Sequence, residues 1–265
     1  MSYKDQIESM TFSFSRINGY RQCPYMWCCQ YIEKLEAVDN FYAQAGSLMH
    51  DILASVLTGK LNLSDAAEEF LLRFDTECDM PVSDKIREST LEKMCTYLTE
   101  VPDNILDGYE ILSVEERVEF TVGKHSFCGY IDLLLKDKST GDLVLCDHKS
   151  DAYPLLKSGR VAKGMENRFL EHKRQLYLYA VAVAEKYGKF PKVLAWNHFK
   201  DRRVCSIPFD ENEFKMALEW ATQTIDEIKN DEQFEPKKDY FFCHNLCGFR
   251  YDCEYLMFDN EEEGG

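Results

Sequence analysis

Three features of this 265-residue sequence predict an α/β protein with a helical front and a cysteine-rich tail. The first part of the chain shows helical apolar periodicity. The middle alternates apolar, strand-like runs with helical stretches, and the end gathers three cysteines in an aromatic setting. With 45% hydrophobic residues, the chain can bury a sizeable core and is expected to form one elaborated domain. Its expected parts are a helical lobe over 1–105, an α/β core over 106–235, a cysteine-rich tail over 236–258 and a frayed acidic end over 259–265.

Ser13 or Ser15 can cap a first helix, which Pro24 would interrupt or restart, because proline has no N–H to give a continuing helix. Further helices are expected near residues 43–58, 64–78 and 83–100. Strands follow at about 109–122, 125–136 and 143–149, the last two joined as a hairpin by Lys138-Ser139-Thr140-Gly141-Asp142. The apolar helix from Phe169 to Tyr187 comes next. Strands near 191–199 and 203–208 and a helix over 211–230 then lead into the tail.

Chemistry-bearing residues punctuate this pattern. Asp132 closes Gly129-Tyr130-Ile131-Asp132, and fifteen residues later comes Val144-Leu145-Cys146-Asp147-His148-Lys149. The two stretches read as adjacent strands. Alternation along a strand puts Asp147 and Lys149 on one face and His148 on the other. Two carboxylates and a lysine then converge, a set suited to a hard divalent cation such as Mg²⁺ with an ammonium that can activate water or steady a phosphate. His50, in the helical Gly46-Ser47-Leu48-Met49-His50, offers an imidazole as a further ligand. Gln175 and Tyr179, four apart, share one helix face.

Order, spacing and residue types together resemble the RecB-like branch of the PD-(D/E)XK nuclease superfamily, which carries a helical Gly-x-x-x-His, then Gly-x-Ile-Asp, Asp-x-Lys and Gln-x-x-x-Tyr. The resemblance implies a restriction-endonuclease-like core, a mixed central sheet flanked by helices. It further implies that His50, Asp132 and Asp147 bind Mn²⁺ or Mg²⁺, with the His148 carbonyl as a fourth ligand. Lys149 would orient or activate the attacking water, and Gln175 and Tyr179 would support the site and the scissile phosphate. The implied activity is metal-dependent hydrolysis of DNA, with exonuclease action on single-stranded or end-bearing substrates.

There are eleven cysteines, and the polar opening Met1-Ser2-Tyr3-Lys4-Asp5-Gln6 has no secretory character, so a reducing, intracellular location is expected and a disulfide framework is not. Cys243, Cys247 and Cys253 cluster in the tail, and a distant Cys23 can complete four thiolates, which suit either a [4Fe–4S] cluster or zinc. One N-terminal and three C-terminal cysteines resemble the iron–sulfur staple of the RecB-like nucleases, including the AddB-type helicase-nucleases and the CRISPR-associated exonucleases. The family tail has two residues between its first two cysteines, whereas this chain has three. His244, Cys28 and Cys29 therefore stand as alternative ligands.

Charge runs against a polyanionic substrate: 31 basic and 47 acidic residues give a formal charge of −16. DNA binding would need a local basic surface. Lys157, Arg160, Lys163, Arg168, Lys173 and Arg174 supply one between Asp-x-Lys and Gln-x-x-x-Tyr, against only Glu166 and Glu171. Overall acidity also suits a protein partner that presents the DNA. An alternative to the nuclease is a catalytically idle DNA- or protein-binding module in a recombination or CRISPR adaptation complex. Another is a zinc-stabilised interaction protein. No apolar stretch is long enough for a membrane span.

Overall fold

Ser13 caps the first of two short helices that meet at Cys23, its hydroxyl accepting from the Arg16 N–H. The computed structural model describes residues 3–101 and 106–257; the acidic end expected over 259–265 lies outside them. The helices are α2 (Phe14–Gln22) and α3 (Pro24–Tyr31), preceded by α1 (Tyr3–Glu8), which the sequence reading did not anticipate. Pro24 sits in the first turn of α3, where a missing N–H costs nothing. Then come α4 (Phe41–Leu57), α5 (Leu63–Glu77) and α6 (Asp84–Glu100).

The centre of the chain forms a five-stranded sheet in sequential order. Its strands are β1 (Tyr109–Val122), β2 (His125–Asp137), β3 (Leu143–Lys149), β4 (Val193–His198) and β5 (Arg203–Pro208). Neighbours are antiparallel except β3 and β4, which are parallel and joined across α7 (Glu166–Tyr187). A parallel pair needs such a crossover. The β2–β3 hairpin closes as expected: the Asp137 carboxylate accepts from the Ser139 and Thr140 N–H groups, and Gly141 takes φ +75°. After β5, α8 (Glu211–Asn230) is capped by Asp210, and a one-turn π segment at Phe242–Leu246 precedes α9 (Glu254–Met257).

The helical front divides between two cores. Ile7, Phe12, Ile17, Tyr20 and Trp27 join α7, α8 and one face of the sheet. Phe41, Leu48, Ile52, Phe70, Phe74, Met94 and Leu98 of α4 to α6 bury one another and Phe199. Both faces of the sheet are therefore covered. Leu145 faces the α7 side, while Cys146 joins Leu133, Leu135 and Ala195 on the other.

One irregularity positions the site. The β1–β2 register passes from Glu116↔Ile131 to Val114↔Leu133 without pairing Glu115 and Asp132, and Glu115 adopts φ +47°. Ile131 and Leu134 both join the α7-side core, so the alternation along β2 changes phase at this point. Asp132 is the residue at the phase change.

Candidate functional site

Four elements bring polar groups to this irregularity. His50, on α4, places Nδ1 3.3 Å from Glu115 Oε1 and 3.6 Å from Asp132 Oδ2, while its Nε2 lies 3.2 Å from the His148 carbonyl oxygen. The His148 N–H in turn donates to Asp132 Oδ2 at 2.7 Å. One donor atom each from His50, Glu115 and Asp132 falls within 4.8 Å of the others, a group that could hold a metal ion. Glu115 was missed in the sequence. Its only signal there is the acidic pair Glu115-Glu116 inside an otherwise alternating strand.

Burial sets the electrostatics. Desolvation raises the Asp132 pKa against the opposing pull of His50 and the His148 N–H. Burial likewise disfavours the charged His50 ring, but the Glu115 contact and the nearby Asp132 and Asp147 charges outweigh it and raise its pKa. His148 projects to the opposite face, where Asn197 Nδ2 lies 3.1 Å from its Nδ1 and also donates to the Tyr97 hydroxyl. Burial pushes that ring down to about 4, so it stays neutral and only its backbone oxygen faces the acidic cluster.

Asp147 and Lys149 share the α7 face, as strand alternation requires. Lys149 Nζ lies 2.5 Å from Asp147 Oδ2 and donates to Gln175 Oε1 at 2.9 Å. Asp147 is almost fully buried, and desolvation raises its pKa despite Lys149. It lies beside the His50 group, turned toward the lysine. Tyr179, one turn beyond Gln175, lies against Gly129: a Cβ there would stand 2.5 Å from the tyrosine ring. That contact gives the glycine of Gly-x-Ile-Asp a physical reason. A side chain would displace Tyr179 from behind the site.

The sequence model of the PD-(D/E)XK nuclease superfamily matches residues 11–255. The chain belongs to that superfamily. A crystal structure from Eubacterium rectale, of a protein provisionally described as an exonuclease, aligns with TM-score 0.53 and 14% identity over 97% of this chain and 90% of that one. At that identity the match speaks for the fold alone. The crystal structure of SSO0001 aligns with TM-score 0.33 and 15% identity over 79% of this chain and 84% of that one, too little to carry argument. No curated protein matches. A nuclease of this superfamily acts on DNA and uses Mg²⁺ or Mn²⁺. No helix among the described residues is long and apolar enough to cross a membrane.

The basic segment of this nuclease splits in two. Lys157, Arg160 and Lys163 are exposed on a turn held by the Leu155↔Val161 bridge. The other three are engaged: Arg168 with Asp151 and Glu171, Lys173 with Glu213, and Arg174 over the Trp220 ring.

Cys23, Cys243, Cys247 and Cys253 line one small cavity with Tyr25, Met26, Phe242, Phe249 and Tyr255. The Met26 N–H points at Cys23 Sγ and the Phe249 N–H at Cys247 Sγ, each at 3.5 Å. Cys29 packs behind Cys247 and Phe249, Cys28 packs against the main core, and His244 stacks on Tyr240.

Proposed function

We propose that this chain is a divalent-metal-dependent deoxyribonuclease of the RecB-like type, an exonuclease on single-stranded or end-bearing DNA with a structural [4Fe–4S] cluster. The observation that carries the reading is the meeting of His50, Glu115, Asp132 and the His148 carbonyl beside the Asp147–Lys149–Gln175 chain. Oxygen-rich donors with one imidazole fit Mg²⁺ or Mn²⁺. When bound, such an ion polarises the scissile phosphate and acidifies water. His50, Glu115, Asp132, Asp147 and the His148 carbonyl would hold it. Gln175 and Asp147 fix the Lys149 ammonium where it can orient water against the phosphate, and Tyr179 keeps the Gln175 face in place. Lys157, Arg160 and Lys163 offer the exposed positive charge that a DNA backbone needs on so acidic a protein.

Cys23, Cys243, Cys247 and Cys253 around one cavity support a metal centre held by four thiolates, and the cluster is the reading we take for it. N–H groups aimed at Cys23 and Cys247 are the hydrogen bonds that ligating sulfurs receive.

The test is degradation of end-labelled single- and double-stranded DNA by anaerobically purified protein with Mn²⁺ or Mg²⁺, beside a Lys149→Ala control. Cleavage that needs the metal and is lost in the control is expected. No cleavage from protein with its cluster intact would favour the idle binding module.

A further inference from the structure

Just beyond Lys149 the chain gathers a second set of ligand-type side chains, which the site above does not use. Asp151 follows β3, His172 lies on α7 one turn before Gln175, and His198 ends β4. One donor atom from each lies within 4.8 Å of the other two. His198 is completely buried and His172 is 3% exposed.

The alignment of these atoms is informative. His172 Nε2 is 2.9 Å from Asp151 Oδ2, and His198 Nδ1 is 3.3 Å from Asp151 Oδ1. Asp151 thus pairs with both rings, yet the second nitrogen of each, His172 Nδ1 and His198 Nε2, has no hydrogen-bond partner among the described residues. Buried polar atoms are rarely left so. Two buried imidazoles and a carboxylate gathered this closely have the spacing of ligands to a common ion. At metal–ligand distances of about 2.0–2.1 Å, adjacent ligand atoms are spaced by about 2.9–3.4 Å.

We propose that Asp151, His172 and His198 bind a transition-metal dication of the Zn²⁺ class at a site distinct from the His50 cluster. Two imidazoles and one carboxylate select borderline transition metals over Mg²⁺ and Ca²⁺. Three protein ligands leave a fourth position open. The ion ties the ends of β3 and β4 to α7, the segments that carry Lys149 and Gln175. Arg168, whose Nε donates to Asp151 Oδ2 at 2.8 Å, is the competing cation. Its side chain is 54% exposed, so it can leave without disturbing the core. The proposal does not rest on the nuclease reading, and its test does not measure cleavage.

The whole chain, purified anaerobically, is dialysed against Zn²⁺ alone and bound zinc is counted by elemental analysis. An Asp132→Asn background removes the His50 cluster from the count. In that background His172→Gln is expected to lose one equivalent of zinc. Arg168→Ala is expected to lower the midpoint of zinc uptake at least tenfold by removing the competing charge. Because Arg168 is at the surface, this variant decides the matter even where His172→Gln does not fold. Equal zinc uptake with and without folded His172→Gln overturns the proposal, as does an Arg168→Ala midpoint that fails to tighten.

Discussion

The carboxylate site and the cysteine tail differ in what holds them together. Asp132, Asp147 and Lys149 project from paired strands covered on both faces, and His50 and Gln175 from long helices that bury their own apolar residues. The tail has one π turn, a four-residue helix and a small core of Cys29, Cys247 and Phe249, while Tyr240, Phe241 and Tyr251 stand exposed. The sheet can therefore keep a cluster of destabilised acidic groups in place by itself, at a cost to stability that the core absorbs. The tail lacks the apolar area to do so. On the proposed cluster, its order would depend on what the thiols bind.

That contrast predicts opposite outcomes for one substitution in each region. Lys149→Ala is expected to lower DNA cleavage by about 10²–10⁴-fold, the range for losing a positioned proton-transfer or charge-stabilising group. Circular dichroism should still report a folded protein, because Asp147, whose burial already raises its pKa, can take up a proton when its partner is gone. A merely structural lysine would show the reverse pattern, lost structure with activity falling in proportion. In the tail, if the thiols hold the proposed cluster, Cys253→Ala is expected to bleach its brown colour and to cost several kcal/mol of stability, as losing a bound metal group does. Unchanged colour and melting would remove Cys253 from the ligand set.

A smaller effect probes the packing behind the sheet site. In Gly129→Ala the new methyl would meet the Tyr179 ring at 2.5 Å. Overpacking of this kind costs about 1–3 kcal/mol. Because Tyr179 lies one turn from Gln175, which holds Lys149, activity should fall alongside stability. Tyr179→Phe should leave the clash in place, whereas in a Tyr179→Ala background, already destabilised by the loss of a buried ring, Gly129→Ala should cost little further stability. An undiminished cost there would mean that the Tyr179 ring is not what the new methyl meets.

Much of this architecture is legible in the sequence because strand alternation and helix periodicity are local. The spans 109–122, 143–149, 203–208 and 211–230 coincide with β1, β3, β5 and α8, and the break at Pro24 separates α2 from α3. What was hidden depends on contacts between distant segments. The helix α1 is anchored by Ile7 in the main core and by Tyr3 against the distant Phe234, and Phe12 forms its bridge to Phe127 across more than a hundred residues. Arg168, Lys173 and Arg174 read as free charge until Asp151, Glu213 and Trp220 arrive from elsewhere in the chain. Asp151, His172 and His198 have no motif spacing at all; topology alone makes them neighbours. Glu115 was invisible for another reason, since its left-handed backbone breaks the regular alternation by which strand residues are assigned to faces.

Glu115 also gives the subtlest test, because it combines backbone strain with function. A non-glycine residue at φ +47° costs about 1 kcal/mol, and the Glu115 charge adds to the burial that raises the Asp132 pKa. Glu115→Gly is therefore expected to raise stability by up to about 1 kcal/mol while raising the Mn²⁺ concentration needed for half-maximal activity by roughly tenfold, the loss of one ligand. Glu115→Gln keeps the strained backbone, so it should weaken the metal without the backbone gain. The pH dependence follows from His50, whose folded pKa Glu115 helps to raise. A raised histidine contributes stability that is complete below its unfolded value of about 6.5 and is lost as pH rises through the folded value. Removing Glu115 forfeits that acid-side contribution. The advantage of Glu115→Gly in thermal melts should thus be largest on the alkaline side of the raised His50 value and should have shrunk fully by about pH 6.5. A gain that is the same at both pH values would mean that the strained backbone alone accounts for it, and that His50 and Glu115 do not share charge in the folded protein.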